Sequence, residues 1–102
     1  MGTRILPAAR ARIIEIWNYT ETNWGEQQAD KYVRELVEAI PRGGANRNEW
    51  KPVQDSALIG VFFFKHARHF VFFKELTGGD VGVITILHES MDLPARLRKD
   101  SE

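Results

Sequence analysis

The stretch Val61-Phe62-Phe63-Phe64-Lys65-His66-Ala67-Arg68-His69-Phe70-Val71-Phe72-Phe73-Lys74 holds every phenylalanine of the chain, in two apolar runs separated by Lys65–His69. A third run, Val81-Gly82-Val83-Ile84-Thr85-Ile86-Leu87, follows the turn signal Thr77-Gly78-Gly79-Asp80. Short β-branched and aromatic runs bounded by turn residues predict a three-stranded antiparallel meander. Strict alternation sets Phe70 and Phe72 against Val71 and Phe73, and Val83 and Leu87 against Ile84 and Ile86. A sheet apolar on both faces must be covered on both. What the rest of the chain can cover, and what it leaves to a partner, is therefore the question that leads to function.

Before the sheet, Arg4-Ile5-Leu6 reads as a short first strand, and Pro7 suits the first turn of a helix, where its missing N–H costs nothing. Ala9, Ile13, Ile16, Trp17, Thr20 and Trp24 recur at three- and four-residue steps, which predicts an amphipathic helix from about Ala8 to Asn23, stopped by Gly25. Ala29, Tyr32, Val33, Leu36, Val37 and Ile40 form the stripe of a second helix, ended by Pro41-Arg42-Gly43-Gly44. So short a turn between them makes an antiparallel helical hairpin. Ala45 to Asp55 reads as an irregular loop pinned by Trp50. After the sheet, Asp92 caps a short helix carrying Leu93 and Leu97. The predicted class is α+β: a helical hairpin on one face of a small, mainly antiparallel sheet, in the order β-α-α-β-β-β with a short C-terminal helix. Such a terminal helix is too small to shield the second face, so an exposed phenylalanine-rich patch and a tight protein partner are expected.

Composition bounds the rest. A chain of 102 residues fits a single domain spanning 1–102. It has no cysteine, so nothing asks for an oxidising compartment and a cytoplasmic location is expected. Fourteen basic residues balance fourteen acidic ones, which weighs against gripping a nucleic-acid backbone outside a complex. No apolar run approaches a membrane span. Glu15 and Glu21 are unlike a transit peptide, and Leu6 breaks a myristoylation signal after Met1-Gly2.

The order of motifs resembles the ParE toxins of the RelE/ParE superfamily. The likeness is carried by Pro7-Ala8-Ala9-Arg10, Ile16-Trp17-Asn18-Tyr19-Thr20, Asn23-Trp24-Gly25-Glu26-Gln27-Gln28-Ala29 and Tyr32-Val33-Arg34-Glu35-Leu36. Gly60-Val61, Arg68-His69-Phe70-Val71-Phe72-Phe73, Val83 to His88 and Met91-Asp92-Leu93 follow in the same order, so it covers about Ile5 to Leu97. The resemblance implies the toxic half of a type II toxin–antitoxin pair, associated with plasmid stabilisation, held by a ParD-like antitoxin and aimed at DNA gyrase. The chain departs from the family pattern at Leu6 (usually a Ser or Thr cap), Phe62 (an arginine), Ala67 (a turn glycine) and Phe73 (a tyrosine).

The superfamily's RelE branch cleaves messenger RNA on the ribosome with arginine, lysine and often tyrosine or histidine groups. Here His69 falls where that branch has a sheet arginine, Met91 falls near a second, and the C-terminal segment has no tyrosine. Lys65, Arg68, His69, His88 and Glu89 form the alternative, an acid–base cluster at one end of the sheet. The bland reading makes Lys65 and His66 turn residues and His69 and His88 hydrogen-bonding strand caps. His66, His69 and His88 lack a carboxylate at ligand spacing, so no metal is expected, and no cofactor. The resulting reading is a toxin that works by binding, without a catalytic residue. An endoribonuclease of the RelE type and an inert complex-forming member are the alternatives. Trp17, Phe62, Phe70, Phe72, Leu93 and Leu97 are the candidate antitoxin contacts, and Leu93 and Arg96 the candidate target contacts.

Overall fold

The computed structural model describes residues 2–90 and 93–101, the side chains of 93–95 excepted. Five strands form one sheet in the order β1-β5-β4-β3-β2: β1 is Thr3–Ile5, β2 Lys51–Pro52, β3 Phe62–His66, β4 His69–Glu75 and β5 Val81–His88. The meander is β3-β4-β5, all antiparallel, while β1 lies parallel to β5 with Thr3 opposite Val81. Helices α1 (Pro7–Trp24) and α2 (Glu26–Ala45) are joined by Gly25, whose φ of 92° turns the chain sharply. Leu6 occupies the N-cap of α1 without a side-chain cap bond, as its apolar side chain requires.

Helix α2 runs past Pro41 to Ala45, where a stop was expected. Proline removes one hydrogen bond there, and the glycines are used for close approach instead of termination. A Cβ on Gly43 would lie 2.4 Å from the Phe64 ring, and one on Gly44 3.4 Å from Thr3 Oγ1. The indole N–H of Trp50 donates to the Gly43 carbonyl at 3.0 Å, satisfying a helix-end acceptor, and its ring packs on Phe62 and Phe73. Trp50 thus pins its segment as expected. That segment is less irregular than the sequence implies: it holds a 3-10 turn, Arg47–Glu49, and β2, which pairs with the start of β3.

Two cores sandwich the sheet. Ala9, Ile16, Leu36 and Ile40 of the hairpin bury Val71, Val83 and Ile86. On the other face Phe72, Ile84 and Leu87 are buried under Leu58, Val61 and Leu97. Pairing passes from Phe72–Thr85 to Phe73–Val83, leaving Ile84 as the extra residue of a β-bulge. The bulge reverses parity along β5. Val83 therefore shares the helix face with Ile86, and Ile84 shares the second face with Leu87, unlike the strict alternation expected. The second face is also better covered than expected. The chain between β2 and β3, including the 3-10 turn Ser56–Leu58, lies over it beside α3 (Leu93–Asp100).

The β3–β4 hairpin turns through Ala67 and Arg68, with His66 paired to His69. Ala67 has φ of 53°, the sole positive value among described non-glycine residues, at the first central position, where glycine is favoured. Ala67→Gly is expected to stabilise the fold by about 0.5–1 kcal/mol, since relief of left-handed strain outweighs glycine's extra unfolded entropy. A higher urea midpoint at constant slope would show it; a lower midpoint would mean the turn carries no strain at this residue.

Candidate functional site

An open cleft of about 910 Å³ lies between the C-terminal half of α1, the start of α2 and the hairpin end of the sheet. Ile16, Tyr19, Trp24, Tyr32, His69 and His88 are among its lining residues. Tyr19 and Trp24 meet edge to face at 6.0 Å and are both largely exposed. Trp24, placed in the core by its periodicity, is 64% exposed: it stands on the last turn of α1, where the side chain borders the cleft and not the sheet.

The strand register brings all three histidines of the chain into one row, His66 opposite His69 and His69 opposite His88. Above them Tyr32 contributes its hydroxyl. The hydroxyl lies 2.6 Å from His69 Nδ1, and with the Arg68 backbone N–H directed at the phenol oxygen we assign the phenol as the donor of this bond. With the phenol as donor, the His69 proton lies on Nε2. Burial, then the neighbouring charges of His88 and His66, hold its pKa down at about 4, so the ring is neutral at pH 7. Burial also raises the Tyr32 phenol above its ordinary value and keeps it protonated. His88 Nδ1 accepts from the backbone N–H of Ser90 at 3.1 Å and from its hydroxyl at 2.7 Å, which again leaves the proton on Nε2. Both cations at this end are drawn to a single carboxylate: Lys65 Nζ lies 2.7 Å and Arg68 Nη1 3.2 Å from Glu89. The Lys65 hydrogen bond is the main cause holding the Glu89 pKa below its ordinary value. The cluster read from the sequence is thus assembled, but as a network in which Glu89 engages both Lys65 and Arg68. Among the described residues no group of three or more His, Asp or Glu is placed to hold a metal ion.

The candidate contact residues are dispersed. Trp17 donates from its indole nitrogen to Asp30 at 2.9 Å, tying α1 to α2 with one edge half-exposed. Phe62 is half-buried beside Trp50. Phe70 and Phe63 stack edge to face at 5.7 Å and floor a second groove, about 590 Å³, between residues 51–55 and α3. Phe72 and Leu97 are 4% and 2% exposed. They are covered by the chain itself, which corrects the expectation of a bare phenylalanine face. Arg96 is exposed on α3; the side chain of Leu93, with Met91 and the expected cap Asp92, lies outside the described residues. Tyr32 was legible only as part of an apolar stripe, because periodicity places its ring and says nothing of the hydroxyl's partner.

Residues 3–93 match the family described as ParE toxin of type II toxin-antitoxin system, parDE. Toxin ParE1 of Mycobacterium tuberculosis is 35% identical over 99 residues, spanning 95% of this chain and 100% of that protein. In solved structures, the chromosomal ParDE system of P. aeruginosa superposes with a TM-score of 0.71 at 18% identity, covering 86% of this chain and 95% of that one. The RelBE2 toxin–antitoxin complex of M. tuberculosis superposes at 0.62 with 14% identity, covering 85% and 95%. The first two helices, the meander and the parallel β1 are thus held in a known fold, and the chain belongs to the ParE toxin family of type II toxin–antitoxin systems.

Proposed function

We propose that this toxin acts by binding DNA gyrase and is neutralised by a ParD-like antitoxin, with no chemical step of its own. The observation that carries the reading is the internal pairing at the hairpin end of the sheet. RNA cleavage needs a cation for the developing phosphorane and a group ready to move a proton. Here Lys65 is paired closely with Glu89, which holds Arg68 only through a longer, exposed contact, and His69 is neutral with Nδ1 occupied by Tyr32. The gyrase target follows from the family resemblance. The antitoxin is taken to lie along the half-buried Phe62 and Phe70 and the free edge of Trp17, with Phe72 and Leu97 supporting that surface from beneath. Leu93 and Arg96 are assigned to the target.

Purified toxin is expected to block gyrase supercoiling and to leave ribosome-bound message intact. His69→Ala and His88→Ala variants that still fold should keep most of their toxicity. Loss of a general acid or base would lower a nuclease rate by about two to four powers of ten. Site-specific cleavage of message by the wild type, abolished by either histidine change, would replace this reading with the endoribonuclease.

A further inference from the structure

The two fixed tautomers have a consequence for the cleft. His69 and His88 lie side by side, ring centroids 5.1 Å apart, both with Nδ1 engaged and the proton on Nε2. Among the described residues no buried side-chain nitrogen or oxygen lacks a partner, and the side-chain bond of His69 is made through Nδ1. Its Nε2–H is therefore open to solvent, and the cleft is where the ring lies. The result is a pair of imidazole N–H donors without an acceptor among the described residues, at the polar end of a cleft whose other wall carries Ile16, Tyr19 and Trp24. Arg68 stands at the rim with its side chain 76% exposed, held to Glu89 by one 3.2 Å contact. An exposed pair of this kind is worth little, so the guanidinium is free to turn to a second carboxylate.

We propose that this cleft receives an acidic side chain of a partner polypeptide, its carboxylate bound by the His69 and His88 Nε2–H donors and by Arg68, with apolar neighbours seated against Tyr19 and Trp24. Two imidazole N–H donors and one recruitable cation match a single negative charge. They match a nucleic-acid backbone poorly, because Lys65 is already paired and the chain carries no net charge to draw a polyanion. Tyr and Trp on the opposite wall are the side chains that interfaces favour, combining large contact area with a polar handle. The neutrality of His69 preserves the site at pH 7 as a hydrogen-bond donor and not a fixed cation.

The test needs neither gyrase nor an antitoxin, so it can fail while the proposed target holds, or the reverse. The full-length toxin, with labelled imidazole nitrogens, is titrated with acetyl-Leu-Glu-Leu-amide, with its Gln counterpart and with a uridine tetranucleotide. The Glu peptide should shift the Nε2 signals of His69 and His88, raise the His69 pKa, and bind about tenfold more tightly than the Gln peptide. Arg68→Ala, at an exposed turn, should bring the two peptides to within about twofold. His88→Gln tests the second donor without emptying the site. Equal binding of both peptides, absence of Nε2 shifts at millimolar Glu peptide, or shifts produced by the tetranucleotide in its place would each overturn the assignment.

Discussion

Replacing Leu36 by alanine is expected to destabilise the toxin by about 2–5 kcal/mol, the range for emptying a packed leucine site. Leu36 is fully buried at the centre of the helix-facing core, where Ile40 and the β4–β5 residues cannot collapse onto the void without moving the sheet. Trp24→Ala provides the control. Its side chain is the larger of the two, yet at 64% exposure its removal should cost under about 1 kcal/mol. Urea melts of the two variants should therefore rank the smaller side chain as far more important. Equal losses would mean that Trp24 packs inward in solution and that the cleft is closed.

The second large effect is electrostatic. Arg12 on α1 reaches Asp100 on α3 with bonds of 3.0 and 3.3 Å, and the fully buried Thr85 donates to the same carboxylate at 2.7 Å. Since α1 and α3 cover opposite faces, this link passes around β5 beyond Val83, where its register with β1 ends. The Arg12 and Asp100 side chains are only 14% and 11% exposed, so the pair is largely desolvated. Asp100→Ala strands the guanidinium and an internal hydroxyl, and is expected to cost about 2–4 kcal/mol, tempered by the remaining contact to Glu15. Adding Arg12→Met should recover most of the loss, because an apolar replacement no longer needs a counter-charge. A loss below about 1 kcal/mol would show that Leu97 and the Arg98–Asp55 pair hold α3 without this link.

The helical hairpin and the meander were legible because their signals are local: apolar spacing, Gly25, and aromatic runs bounded by turns. What escaped was set by tertiary contact. The bulge at Ile84 leaves no mark in a run where every neighbour is apolar, so parity after it was misread. Gly43 and Gly44 resemble a helix stop, yet serve the approach of Phe64 and Thr3. Leu58 and Val61 lie between the polar loop and the first phenylalanine run with no periodicity to place them, and gave no sign of roofing the second face, which made that face look bare. At the site, the sequence supplied the histidines, Lys65, Arg68 and Glu89. It could not show that Tyr32 sets a tautomer, or that one carboxylate holds two cations, since both depend on register across three strands.

The closure of the two ends of the chain bears on when the protein becomes harmful. Its first strand pairs with residues 81–83, and Arg12 finds its partner 88 positions later. During synthesis the N-terminal helices emerge with an apolar face and no sheet to cover, because the strand they flank has not been made. Closure of the fold is therefore deferred until residues 81–100 have been made, and a product truncated before them lacks both the edge pairing and the clasp. Any neutralising partner that recognises the closed surface therefore has nothing complete to bind until Asp100 has emerged.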